Sequence, residues 1–395
     1  MRLMNKLPLS LLLLGGVAAC GDAGSETPSS GDPIDPGSLA AAASSPLIDV
    51  ARLDQLRAER GDALVILDLT NGTAEDDQAT YKAGHIPGAI FVNWRRELAE
   101  YPFPILTDGS AGALVLPQRQ NFQESLRSAG IDDDSTIVVY DNFRNRSAIR
   151  ALFVLEYYGK VDDVFILEGG LDAYSAACTS NDCLDTCTGN GDCPQAPAVG
   201  TITLAEGNAN MTIGFFGDDA SEGVRDLVAN PRDGTTIIDA RPYEMYVGDR
   251  IGGCIHTGEP VYRRGHMPGA LARPWPDNES SAGYFKEQSE LLGLYSDIEN
   301  YGAQELVLYC NEGLHAVYDW FVLTRLLGYP KDRIKVYEGS IGEYSRQEFF
   351  PGVYASSPQV SGCGLGTGAG HQCRASEAYP PPALTETPPA WYTGP

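Results

Sequence analysis

The sequence predicts an α/β protein of two similar halves, each a mainly parallel β-sheet with helices on both faces. Three observations predict it. Short, unbroken apolar runs alternate with helical stretches, the pattern of strands buried on both sides. Four sequence elements recur in the same order in the two halves. Each half also carries a helix that is apolar around most of its circumference and stops at glycine, AIRALFVLEYYG (148–159) and AVYDWFVLTRLLG (316–328). At 395 residues, 43% hydrophobic and 21% charged, the chain is ordinary globular material long enough for two domains. The net charge of -25 disfavours nucleic acid as a partner.

The N-terminus reads as a targeting segment, residues 1–20. Arg2 and Lys6 precede LPLSLLLLGGVA, an apolar run too short to span a membrane permanently. It ends in VAAC, an aliphatic residue and two small ones before Cys20, which resembles the lipobox of bacterial lipoproteins. That resemblance implies a lipid anchor on Cys20 and an exported protein of the cell envelope, periplasmic or at the cell surface. The alternative is an ordinary cleaved signal in which Cys20 has no role. Residues 21–45 have the Gly/Ser/Pro/Asp composition of a solvated tether. Later apolar runs are short and broken by charge, so the lipid anchor is the expected membrane contact.

Residues 46–177 form the first domain. LVILDL (64–69) is a strand ending at Asp68, AGHIPGAI (83–90) a tight turn, TIVVYD (136–141) a second strand, and FILEGGLDAY (165–174) the fourth repeated element. Residues 178–212 join the halves and contain CTSNDCLDTCTGNGDC. Outside the cytoplasm cysteines are expected to pair, so Cys178, Cys183, Cys187 and Cys193 imply two disulfides with three pairings open. Zinc is the rival, although these spacings lack the paired two-residue gaps of such sites. Residues 213–350 form the second domain and repeat the first as TIIDAR (236–241), RGHMPGAL (264–271), LVLYC (306–310) and KVYEGSIGEY (335–344). Residues 351–395 are a Pro/Gly-rich tail in which Cys363 and Cys373 bracket a glycine-rich loop, a third expected disulfide. Of nine cysteines, Cys254 and Cys310 have no evident mates.

GHIPGA and GHMPGA, each preceded by an aspartate-ended strand, with a cysteine-ended strand following the second, resemble the rhodanese family. The tandem order is similar to the two-domain sulfurtransferases that use thiosulfate or 3-mercaptopyruvate. The resemblance covers about residues 46–350. It implies two tandem rhodanese-like domains, a catalytically silent first domain, and one cysteine in the second that carries sulfur as a persulfide. The expected reaction moves sulfane sulfur from a small sulfur-containing anion such as thiosulfate to cyanide or a thiol. It needs no metal and no organic cofactor. The alternatives are 3-mercaptopyruvate as donor, or a non-catalytic sulfur-carrier or binding lipoprotein.

The residues around Cys310 support that reading independently. A strand end, a short loop (310–315) and a helix start place the sulfur over unpaired backbone N–H groups, which favour an anion and are expected to lower the thiol pKa. A thiolate is the attacking species, and the persulfide is an anion held by the same groups. The alternative is a structural cysteine capping a buried strand. The first half has Asp141 at the matching position, a carboxylate that cannot carry sulfur.

The loop departs from the family. It reads CNEGLHA where tandem enzymes usually show Cys-x-x-Gly-Val-Thr-Ala. The resemblance assigns donor binding to Asn311, Glu312, Gly313, Leu314 and His315. Asn311 is neutral, Leu314 is conservative, and Glu312 disfavours a dianion if it points inward. His315, in the place of a hydroxyl residue, is a candidate hydrogen-bond donor to a persulfide or proton donor to a leaving group. The alternative for it is a first-turn histidine facing solvent. Arg241, in DARPYEMY, matches an arginine that binds the donor's anionic end, with a salt bridge as the alternative. Asp239 is expected to hold the loop, and His85 and His266 to be turn residues with satisfied rings. Gly88 and Gly269 read as positive-φ or close-approach positions. The connection from Asp239 to His266 is longer than that from Asp68 to His85 and contains Cys254, a candidate accessory sulfur acceptor or disulfide partner of Cys310. Pairing elsewhere, or none, is the preferred reading of Cys254. A phosphatase loop needs arginine six residues after the cysteine, and that position is Ala316.

Overall fold

In a computed structural model the described residues are 45–345, apart from 74, 100–114, 180–182, 190, 218–221, 251, 253–263, 282 and 299–301. The chain divides into units 1–32 and 33–395, and the first lies wholly outside the described residues. So do Cys20, Cys254, Cys363 and Cys373, together with the targeting segment and the tail.

Two parallel sheets are built from the repeated elements. The first holds β1 (Leu47–Ile48), β2 (Leu64–Asp68), β3 (Ile90–Phe91), β4 (Thr136–Tyr140) and β5 (Val164–Leu167) in the order β1-β5-β4-β2-β3. The second holds β6 (Thr235–Asp239), β7 (Leu271–Ala272), β10 (Glu305–Tyr309) and β11 (Ile334–Val336) in the order β11-β10-β6-β7. A small antiparallel hairpin, β8 (Glu279–Ser281) and β9 (Tyr284–Phe285), stands apart. Where the first sheet has β1 at its edge, the second has a single parallel bridge from Thr212 to Val336.

Unbroken apolar strands reflect burial on both faces. In β4, Ile137 and Val139 face one core while Val138 and Tyr140 face another. In β10, Leu306 and Leu308 point one way and Val307 and Tyr309 the other. The helices that cover the sheets are α1 (Val50–Arg60), α2 (Arg119–Ser128), α3 (Arg146–Tyr157), α4 (Gly170–Ala177), α5 (Val224–Ala229), α6 (Gln288–Leu294), α7 (Leu314–Phe321) and α8 (Ser340–Tyr344).

The two apolar helices noted in the sequence are α3 and α7, and they pack against each other between the sheets. Side chains of both belong to one continuous core spanning the two halves, with Phe153 set edge-on to Trp320 at 4.9 Å. Each large apolar side chain so buried contributes about 1.5–3 kcal/mol, so this seam fixes the halves as one body. Polar contacts cross the seam as well. Arg150 Nη1 lies 2.5 Å from Glu338 Oε1, and Glu156 takes Arg325 and, at 2.6 Å, Lys331 Nζ.

The cysteine-rich join pairs sequentially, Cys178 with Cys183 and Cys187 with Cys193. All four sulfurs are consumed, which removes zinc as a reading of this cluster. The segment folds back over the first GHIPGA turn, where His85 and Asp185 exchange backbone hydrogen bonds of 2.9 and 3.0 Å.

Candidate active site

The two halves build the same turn from the same parts. In each, a strand-end aspartate accepts from a tyrosine hydroxyl, Tyr140 to Asp68 and Tyr309 to Asp239, the latter at 2.7 Å. That hydroxyl in turn accepts from the turn, Ile86 N at 3.1 Å and Met267 N at 3.0 Å. Each turn histidine stacks on a tyrosine, His85 on Tyr81 and His266 on Tyr246, with Nδ1 2.8 Å from that tyrosine's carbonyl. Burial lowers the His266 pKa, so its ring is a neutral structural part. One expectation needs correcting: His85 Nε2 is buried without a partner, so that ring is only half satisfied. Gly88 and Gly269 have φ of 78° and 79°, the left-handed turn conformation.

Duplication also settles the role of Arg241. In the first half, Thr70 donates its backbone N–H to Asp68 at 2.8 Å, and its hydroxyl to the same oxygen. In the second, Arg241 replaces Thr70 and takes Asp239 with both ends of its fork, Nε to Oδ1 at 2.9 Å and Nη2 to Oδ2 at 2.6 Å. Nη2 also donates to Gly265 O at 2.7 Å. Burial opposes the guanidinium charge, and Asp239, Tyr309 and Cys310 more than offset it, so its pKa is raised. Arg241 is therefore a buried strut of the GHMPGA turn, its charge already matched by Asp239. The salt-bridge alternative describes it, and free donor binding by Arg241 does not.

Cys310 follows β10 and is fully buried, the free cysteine among the described residues. Gly313, with φ 95°, is the left-handed N-cap of α7, and its N–H reaches Cys310 Sγ at 3.1 Å. The helix starts at Leu314, so the loop is tighter than residues 310–315. Burial pushes the Cys310 thiol up, the amides of Glu312, Ala316 and His315 pull it down, and the Glu312 carboxylate pushes it up again. The sum is a raised thiol pKa, the reverse of the expected lowering, because a fully enclosed sulfur loses more solvation than the amides return.

In the first half the cradle holds a carboxylate. Asp141 Oδ1 accepts from the amides of Phe143 and Asn145 at 2.8 and 3.0 Å. Its Oδ2 accepts from those of Ser147 and Ala148 at 2.9 and 3.1 Å. Asn145, at φ 60°, is the counterpart of Gly313. The same strand-loop-helix geometry thus binds an anion in one half and a sulfur in the other.

Of the remaining residues, Asn311 and Glu312 are buried beside the sulfur, with Asn311 Nδ2 3.8 Å from Met245 Sδ and a Cβ on Gly252 reaching within 2.3 Å of Asn311 Oδ1. Leu314 is core. His315 stacks on Trp275 at 4.8 Å and meets the first half, Arg146 Nη1 lying 3.0 Å from its Nε2. Burial, then Arg146 and Arg144, hold its pKa well below the usual histidine value. Neutral His315 accepts at Nε2, which puts its proton on Nδ1. It neither faces solvent nor stores a proton for a leaving group.

Met245, Arg146, Trp275 and Ser340 were not singled out in the sequence. Ser340 occupies the place of Gly170, and both have positive φ, 52° and 56°. Its hydroxyl accepts from Cys310 N at 3.1 Å and donates to Tyr337 O at 2.8 Å, which explains a serine where glycine is easier. Ser340→Ala, which keeps the strain and loses both hydrogen bonds, is expected to cost about 1–3 kcal/mol in urea unfolding. Ser340→Gly, which relieves the strain, is expected to cost less. Equal losses would remove this explanation.

The profile of the Rhodanese-like domain matches residues 50–177 and again 224–347. A thiosulfate sulfurtransferase of Corynebacterium glutamicum is 30% identical over 278 residues, 70% of this chain and 82% of that protein. Among solved structures, Escherichia coli SseA, described as a 3-mercaptopyruvate sulfotransferase, superposes with a TM-score of 0.57 at 23% identity, covering 75% of this chain and 99% of that one. The Tum1 protein of Saccharomyces cerevisiae gives 0.58 at 17%, covering 75% and 94%. With its duplicated parallel sheets, paired turns and repeated anion cradles, the chain belongs to the rhodanese family and is a rhodanese-type sulfurtransferase.

Proposed function

We propose that the protein transfers sulfane sulfur through a persulfide on Cys310. The observation that carries this is the cradle itself: backbone amides converge on Cys310 Sγ in the slot where the other half seats the Asp141 carboxylate. With thiosulfate, the Cys310 thiolate attacks the outer sulfur, the S–S bond breaks, and sulfite leaves with the electron pair. The persulfide anion rests on the amides of Glu312, Gly313, His315 and Ala316. Cyanide or a thiolate then attacks the terminal sulfur and returns the thiolate.

The name of the Corynebacterium relative supports thiosulfate as the donor. Glu312 favours 3-mercaptopyruvate. Its carboxylate is buried and raises the Cys310 pKa, so it repels a dianion whose charge sits one bond from the reacting sulfur. In 3-mercaptopyruvate the carboxylate is two carbons away. There the C–S bond breaks, the electron pair passes to carbon, and protonation yields pyruvate. We take the second donor as the better fit to this loop.

A donor panel with cyanide as acceptor tests both. Turnover with 3-mercaptopyruvate is expected to exceed that with thiosulfate. Glu312→Gln is expected to raise kcat/KM for thiosulfate on the order of tenfold and to change the other donor less. A thiosulfate rate left unchanged by Glu312→Gln would reject this role for Glu312, and no turnover with either donor would favour a sulfur-carrier role.

We also infer an exported lipoprotein anchored at Cys20, supported by the VAAC sequence and by two disulfides in the join. Membrane fractionation of the full chain and of Cys20→Ala tests it; equal partition of the two would reject the anchor.

A further inference from the structure

We propose that Arg146, carried by the silent first domain, receives the anionic end of the sulfur donor. This rests on the sulfur-transfer reading and adds to it the residue that recognises charge. Among the described residues, Arg241, Arg144 and Arg146 stand around the paired loops, and the first two are already matched. Arg241 is forked onto Asp239, and Arg144 is paired with Glu279. Arg146 forms no ion pair among the described residues. Its Nε donates to Phe143 O at 3.0 Å, its Nη1 donates to His315 Nε2 at 3.0 Å, and its Nη2 takes no partner among the described residues.

The surroundings keep that charge unmatched. Asp141, the nearest carboxylate in its own loop, is occupied by four amides and the Ser147 hydroxyl. His315, the direct partner, is neutral. Arg146 stacks over Trp275 at 4.8 Å, and Arg144 lies over the same ring at 4.5 Å, a second cation alongside. Burial, and then Arg144, pull the Arg146 pKa down to about 10 against the opposing pull of Asp141 and Glu279, which leaves it a cation at neutral pH.

A half-buried guanidinium whose Nη2 takes no partner and which pairs with no carboxylate among the described residues is suited to a carboxylate or sulfonate oxygen pair. It also stands in the right place. His315, whose ring Arg146 touches, lends its backbone amide to Cys310, so a single residue links the cation to the cradle of the reacting sulfur. Glu312 repels charge beside the sulfur while Arg146 attracts it farther off, and together they select donors by where the anion sits.

The test uses two alkylating agents of equal reach, iodoacetate with a carboxylate and iodoacetamide without. Their second-order rates at Cys310 are read by mass spectrometry of the Cys310 peptide in the full chain. In Arg146→Gln the ratio of the iodoacetate to the iodoacetamide rate is expected to fall about tenfold, with the iodoacetamide rate itself changed less than about twofold. Arg146→Lys, which keeps the charge, is expected to retain at least roughly half of the wild-type ratio. A ratio in Arg146→Gln equal to wild type overturns the proposal, as does a Lys variant no better than the Gln one. Should Arg146→Gln fail to fold, Arg146→Met, which keeps the packing on Trp275, is read in the same way. Alkylation needs no turnover, so a failed donor panel rejects sulfur transfer and an unchanged ratio rejects Arg146.

Discussion

Cys310→Ser is expected to lower sulfur transfer by at least about a thousandfold with either donor, because a hydroxyl in this loop cannot form the persulfide. The substitution is nearly isosteric, and the serine hydroxyl can accept the Gly313 N–H in the place of sulfur. Urea unfolding should therefore move by no more than about 1 kcal/mol, which separates lost chemistry from lost structure. The wild-type rate should also depend on pH in a defined direction. Burial and Glu312 push the thiol pKa up, and the thiolate is the attacking form. The rate with a saturating donor is expected to climb as pH rises past the ordinary thiol range, and to fall as protons occupy the sulfur. Turnover that survives Cys310→Ser would sink the assignment, and a rate flat across that range would show that the bound donor resets the thiol.

Arg150→Leu is expected to destabilise the protein by about 3–5 kcal/mol, the typical cost of stranding one member of a buried pair. Arg150 projects from α3 to Glu338 beyond β11, so the pair crosses the seam between the halves, and both side chains are buried. Burial already raises the Glu338 pKa, with Arg150 opposing it. Without the arginine the carboxyl moves further toward its neutral form in the folded state. A group whose folded pKa lies above its unfolded value contributes stability that is lost as pH rises through the folded pKa. The deficit of Arg150→Leu should accordingly be smaller near pH 5 than near pH 8. Adding Glu338→Gln should recover much of it. Urea denaturation of the single and double variants measures all three points. A loss below about 1 kcal/mol would mean that the α3–α7 core alone holds the halves.

Several features were legible in the residues because they depend on local pattern. The runs LVILD and LVLY had to be doubly buried strands, since neither alternates polar with apolar residues. Gly88 and Gly269 had to be turn glycines, since each ends a Pro-Gly step in a short turn. The repeat was the strongest signal, because it aligned Asp141 with Cys310 and so marked the slot in the residues alone.

The errors share one cause. Arg241 looked available because its position in the sequence resembles a donor arginine, yet Asp239, two residues away, already holds its fork. The Cys310 amides were visible as a helix start, but the burial that outweighs them is set by segments far along the chain. His315 offered a proton on paper and lost it to burial first, then to two arginines from the other half. Arg144 and Arg146 were visible in the sequence as two arginines in the first-half loop, but their approach to His315 depends on α3 packing against α7.

By itself, then, the sequence determined the α/β class, the duplication, the turn positions, and the place of Cys310 at the strand end that matches Asp141. These follow from hydrophobic period, glycine geometry and hydrogen-bonding groups a few residues apart. Only the tertiary structure decided which cations are matched, whether burial or the backbone amides prevail at the Cys310 thiol, and which arginines meet His315. Those depend on Coulomb and desolvation energies between groups remote in sequence, and such energies have no value until the chain has brought the groups together.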